Sequence, residues 1–196
     1  MPHLVEEAVL VADVNIWIDA CLAHDEGVGP PVPWWIKPTG RLTASAALFA
    51  GLASPLTAET SIFVDELLED ILMRKLTQPP VGDRPEDRGM GWSLDKAKDA
   101  FTAVLDPVHQ AGRSRWVKPS APPEFMQGAD PEDCRIWGLF MSARSTNPLA
   151  DSFLVSRDRD FVKNANDSAR RLYSGRPEWM ACPPWAMTKI LGFWRA

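Results

Sequence analysis

The chain has 196 residues, 45% of them hydrophobic and 24% charged, which fits one globular domain over 1–196 with a full core and excludes a disordered chain. No apolar run is long enough to span a bilayer, and the acidic start Met1-Pro2-His3-Leu4-Val5-Glu6-Glu7 lacks the basic region of a secretory signal. A cytoplasmic protein without membrane association is therefore expected. The net charge of −5 argues against bulk, non-specific nucleic-acid binding, which runs on many Lys and Arg contacts. It leaves room for a nuclease, because divalent cations neutralise a local cluster of carboxylates.

Val9-Leu10-Val11-Ala12-Asp13-Val14-Asn15-Ile16-Trp17-Ile18-Asp19-Ala20 opens the fold. Its apolar, β-branched start predicts a strand buried on both faces. The period then changes: Ile16, Trp17 and Ala20 fall at helical spacing. Asp13 stands at the junction, either as a helix cap or as a functional acid at the carboxyl end of a central strand, where open α/β sheets place their ligands. A Pro- and Gly-rich loop follows, carrying Trp34-Trp35 as a base-stacking platform or, more simply, a patch folded onto the body.

Thr43 to Leu52 predicts a helix starting near Thr43 or Ser45, and Ser61-Ile62-Phe63-Val64 a short buried strand. From Asp65 to Leu76, the residues Leu67, Leu68, Ile71, Leu72 and Leu76 mark one apolar helical face. Acids lead this segment and Arg74-Lys75 close it, matching the helix dipole. Residues 77–91 form a loop. Ser93 caps a helix running to about His109, Arg115-Trp116-Val117-Lys118 suggests a strand, and Asp130-Pro131-Glu132-Asp133 opens another helix. A strand over 152–156 leads into Arg157-Asp158-Arg159-Asp160. Trp179 to Cys182 gives a last extended piece before a C-terminal helix from Pro183 or Pro184 through Phe193. Five candidate strands thus alternate with helices, which predicts an α/β fold with a parallel sheet covered on both faces.

Cys21, Cys134 and Cys182 are scattered, without metal-ligand spacing, and are read as reduced thiols. His3, His24 and His109 lie in no motif and are not assigned as catalytic bases; most of the nine Trp are assigned to packing.

Acids carry the chemistry. Asp13 ends the first strand, and Asp158 follows the fourth. Asp133 lies in the first turn of the helix leading to that fourth strand, and Asp70, or Glu66 one turn earlier, lies on the helix after the second. With strands one and four adjacent, these carboxylates converge at one end of the sheet. Converging carboxylates persist with raised pKa values or with cations, and oxygen ligands of this kind suit Mg²⁺ or Mn²⁺. Taken singly, each acid has a plainer role: Glu132 and Asp133 complement a helix start, Asp158 and Asp160 form a turn, and Asp70 is a solvated helix residue.

The segments around Val11-Ala12-Asp13-Val14-Asn15, Val64-Asp65-Glu66-Leu67-Leu68-Glu69-Asp70, Pro131-Glu132-Asp133 and Ser156-Arg157-Asp158-Arg159-Asp160-Phe161 together resemble a PIN domain. The resemblance covers nearly the whole chain. It implies a three-layer α/β/α sandwich with a central parallel five-stranded sheet of order 3-2-1-4-5, and a Mg²⁺- or Mn²⁺-dependent endoribonuclease like the VapC-type toxins of toxin–antitoxin pairs. It places metal binding on Asp13, Asp133 and Asp158, with Asp160 close by. The family's second acid is usually a Glu; here that register falls on Asp70, with Glu66 or Glu69 as rivals. Asn15 is assigned to orient Asp13 or contact the scissile phosphate. Ser156 holds an acid or phosphate, and Arg157 and Arg159 touch the RNA backbone or are solvated charge. An RNA substrate, an antitoxin partner and a homodimer follow from the same resemblance. Two other readings stand beside it: a catalytically silent PIN fold that binds protein or RNA, and a nuclease for branched DNA.

Overall fold

Val9, Leu10, Val11 and Ala12 are each at most 1% exposed, and they form the centre of strand β1 (Glu7–Ala12). Such continuous burial of a strand means that it is covered on both faces and flanked on both edges. In the computed structural model, which describes residues 7–30, 38–54, 59–81, 89–118, 130–172 and 179–186, β1 pairs in parallel with β2 (Glu59–Val64) on one edge and β4 (Asp151–Val155) on the other. Leu10 faces Ile62 in one register and Phe153 in the other. Strand β3 (Ser114–Trp116) adds beside β2 and β5 (Trp179–Cys182) beside β4, so the sheet runs β3-β2-β1-β4-β5. The fold is α/β with a parallel sheet, as the alternation of strand and helix patterns predicts.

The parallel order requires crossovers, and helices supply them. Helix α1 (Val14–Asp25) packs against α2 (Arg41–Ala53), α3 (Glu66–Thr77) and α4 (Leu94–Gln110). Being surrounded, α1 is apolar on more than one side: Val14, Ile16, Trp17, Ala20, Cys21 and Ala23 are all buried. Trp17 sits at the centre, its ring 4.5 Å from that of Phe49 on α2 and 5.4 Å from that of Phe101 on α4. Helix α5 (Pro131–Thr146) lies across β1, β2 and β4 and buries Ile136, Trp137, Leu139, Phe140 and Ala143. Helix α6 (Arg159–Leu172) packs beside β5.

Helix ends follow local chemistry. Asp65 Oδ1 accepts from the Leu68 N–H, Ser93 Oγ from Lys96, and Asp130 Oδ1 from both Glu132 and Asp133, each cap stabilising its helix by about 1 kcal/mol. At the end of α4, Gly112 takes φ +72° while its N–H donates to His109 O and that of Arg113 to Val108 O. This closure needs a left-handed residue, and it delivers the chain straight into β3.

Several boundaries differ from the sequence expectation. Helix α2 begins at Arg41, with Gly40 as its extended cap, so Thr43 and Ser45 lie inside the helix and Ser45 is buried. Asp65 caps α3 from outside rather than beginning it. Strand β3 ends at Trp116 instead of residue 118, although the Val117 N–H still donates to Val64 O. Trp34-Trp35, the loop over 82–88 and the C-terminal helix beyond Ala186 lie outside the described residues. No helix among the described residues is long and apolar enough to cross a membrane.

Candidate active site

The carboxyl ends of the two central neighbours, β1 and β4, lie side by side, with Ala12 paired to Val155. The next residue on each strand carries a polar side chain, Asp13 after β1 and Ser156 after β4. The Asp13 N–H donates to Val155 O at 2.8 Å, which keeps the two strands in step just before they diverge.

Asp13 occupies the cap position of α1, but its carboxylate makes no capping bond. It points instead toward the β4 side, where Oδ2 accepts from the Ser156 hydroxyl and from Asn15 Nδ2. Asn15 Nδ2 also lies 3.1 Å from Ser156 Oγ, and its Oδ1 accepts from the Arg157 N–H at 3.3 Å. The Ser156 hydroxyl donates once and accepts from Asn15 and from the Asp158 N–H at 3.0 Å, so its hydrogen-bonding capacity is filled. Asn15 and Ser156 therefore fix the position of Asp13, and both were singled out by sequence.

Asp13 is only 7% exposed, and burial pushes its pKa up to about 6. The Ser156 hydrogen bond works in the opposite direction, while the charges of Asp158 and Glu132 add to the rise. Asp133, in the first turn of α5, is raised to about 7, first by burial and then by Asp130, Asp13, Asp158 and Glu132. Asp158 and Glu132 thus act on both Asp13 and Asp133, which ties the four acids into one electrostatic group near the strand ends. Asp158 also does the plainer job expected of it: Oδ1 caps α6, accepting from Asp160 at 2.8 Å and Phe161 at 3.1 Å. Asp160 is exposed in the first turn of α6.

Glu66 and Asp70 of α3 make no described contact with this group. That helix turns Leu68, Ile71, Leu72 and Leu76 inward, which leaves Glu66 and Asp70, four residues apart, together on its exposed side. Neither is among the charges that chiefly raise Asp13 or Asp133, and Glu66 acts on Asp65 instead. Glu132 takes the fourth place in the group, held by Lys75 Nζ at 3.1 Å and Arg74 Nη2 at 3.8 Å from the end of α3.

Asp19 was missed by the sequence reading. It is fully buried on α1, and its carboxylate pairs with Arg157 Nε at 2.9 Å and Arg41 Nε at 3.6 Å. Burial raises its pKa, and the two guanidiniums pull it back. The available signal was an acid flanked by Ile16, Trp17 and Ala20 on the inward side of a helix, a place that demands a cationic partner.

The donor set fits a hard divalent cation in kind: several carboxylate oxygens, surplus negative charge, and no lysine or arginine paired to Asp13 or Asp133 in the described ion pairs. It does not form a closed chelate, because no three acids, histidines or cysteines among the described residues stand close enough together to hold an ion. Compared with known proteins, the chain matches no family model, no curated protein and no solved structure.

Proposed function

We infer that the protein is a PIN-like nuclease, a three-layer α/β/α sandwich whose strand-end acids hydrolyse RNA phosphodiester bonds with Mg²⁺ or Mn²⁺. One observation carries this reading. Asp13 and Asp133 both have raised pKa values, and the charges of Asp158 and Glu132 add to both rises, at the carboxyl ends of adjacent parallel strands, where such sheets bind ligands.

Asp13, Asp133 and Asp158 would hold the cation, with Asp160 near the rim. Such an ion supplies an activated water and steadies the leaving oxygen of the diester. The chain's own part is positioning. Ser156 and Asn15 aim Asp13, Glu132 is held by Lys75 and Arg74, and Asp133, whose pKa burial and neighbouring charge push up to about 7, would have to give up its proton to hold a cation. A toxin role, with an antitoxin and a homodimer, belongs to the same proposal through the family likeness of its motifs.

The test is Mn²⁺ titration by calorimetry on the wild type and Asp13→Asn, with cleavage of single-stranded RNA followed in parallel. Metal binding and cleavage in the wild type, both lost in the variant, support the reading; no Mn²⁺ binding by either protein defeats it. The open spacing of the acids favours a second reading, a PIN-like fold without catalysis that serves as a binding module. RNA bound but never cut with any divalent cation would select it.

A further inference from the structure

Beside the acids, on the other side of residue 157, lies a cavity of about 590 Å³ with a different character. Arg41, Arg157 and Arg159 line it together with Trp185, Pro184 and Thr39. Asp158 and Asp160 are not among its described lining residues. Asp19, which is 0% exposed, offers one carboxylate to two of these guanidiniums, those of Arg41 and Arg157, so the described lining keeps a net positive charge. Asp19 also limits how far two of those side chains can move: it holds Arg157 Nε at 2.9 Å and Arg41 Nε at 3.6 Å, leaving the rest of each guanidinium turned to solvent, 40% and 60% exposed. Trp185 is 52% exposed on the same wall. In a chain of net charge −5, this concentration of arginine is a local feature and not the average surface.

We propose that this cavity is a subsite for unpaired polynucleotide, in which Arg41, Arg157 and Arg159 take backbone phosphates and Trp185 stacks on a base. Guanidinium forks match phosphate oxygens in pairs, and pre-anchored forks lose little freedom on binding. An exposed indole takes any base by its face, which is open only where the base is not paired. The backbone gives the continuity. The Arg157 N–H binds Asn15, which binds Asp13, so a phosphate in the cavity is one short step along the chain from the acids. This assignment rests on the nuclease reading for the strand's direction toward the acids, but the binding itself does not need catalysis.

The experiment is fluorescence anisotropy with labelled eight-nucleotide RNA and DNA, single- and double-stranded, in EDTA at several salt concentrations. Arg159→Ala and Trp185→Ala are the variants, because neither side chain pairs with Asp19, and thermal melts establish that each is folded. Trp185→Ala is expected to weaken single-strand binding at least fivefold, the lower end of base–aromatic stacking. Arg159→Ala is expected to lower the salt slope by about 0.7, one phosphate contact. Unchanged affinity in both folded variants, equal binding of duplex, or no wild-type binding overturns the subsite. Variant-sensitive binding without cleavage when Mn²⁺ is added keeps the subsite and defeats the nuclease reading. Cleavage with unchanged affinity in the variants does the reverse. The RNA and DNA arms decide which sugar the cavity accepts.

Discussion

Replacing Asp13 by Asn tests the electrostatic argument without any assumption about catalysis. The carboxyl is 7% exposed, and its pKa rises from 3.8 to about 6, so ionising it in the folded protein costs up to about 3 kcal/mol at ~1.4 kcal/mol per unit. The sign follows from linkage. A carboxyl with a raised folded pKa contributes fully below pH 3.8, and that contribution is lost as pH rises through about 6. Asn does not titrate, and its carbonyl oxygen can still accept from Ser156 and Asn15 where Oδ2 now does. The variant should therefore match or trail the wild type at pH 4 and exceed it at pH 8. Allowing ~1 kcal/mol for the lost hydrogen bond from the Val14 N–H, the net gain at pH 8 is about 2 kcal/mol, or roughly 4–8 °C for a chain of this size. Thermal melts of both proteins in EDTA from pH 4 to 8 measure it. Parallel pH profiles would refute the reasoning, because they would mean that Asp13 ionises in the fold as freely as in water.

Three further outcomes follow from neighbouring contacts. Ser156→Ala removes the hydroxyl donor to Asp13 and should destabilise the protein by about 1–3 kcal/mol at neutral pH, seen as a lower urea midpoint with an unchanged slope. It should also move the pH transition of Asp13 upward, since that hydrogen bond opposes the rise. Asp130→Ala should cost about 1 kcal/mol of α5 capping and at the same time lower the pKa of Asp133, measurable by carboxyl titration in NMR, because Asp130 is the largest charge acting on it. Trp17→Ala, which empties the space between Phe49 and Phe101, should cost about 3–5 kcal/mol by chemical denaturation.

The parts of this fold legible from sequence are those where one local rule decides. Val9 to Ala12 form an unbroken, fully buried apolar run, the pattern of a strand at the middle of an α/β sheet. Asp130-Pro131 announces a helix start by capping chemistry alone, and the cap forms as expected. The start of α2 was not legible, because Thr43 and Ser45 are better caps by type than Gly40. The helix extends past both to Arg41, whose side chain reaches the buried Asp19 on α1. That is a tertiary demand no local preference encodes. The ambiguity over Asp70 and Glu66 has a related cause. Spacing puts both on one face of α3, and only the direction of that face decides what they meet.

The acid group and the basic cavity are parts of one construction. Residue 157 contributes its N–H to Asn15 on the acid side and its guanidinium to Asp19 on the other. Asn15 and Asp19 lie four residues apart on α1, so a single helical face fixes the loop after β4 at two points. Between them the loop holds Ser156 against Asp13 and Arg157 in the cavity wall. A buried carboxylate such as Asp19 adds little net stability, since its desolvation offsets much of its attraction to arginine. What it supplies is direction: it sets where two positive charges stand relative to the carboxylates a few residues away. On the proposed reading, a site that draws in a polyanion and then acts on it with acids needs those opposite charges kept apart. The pairing of Asp19 with Arg41 and Arg157 is the feature of this chain that does so.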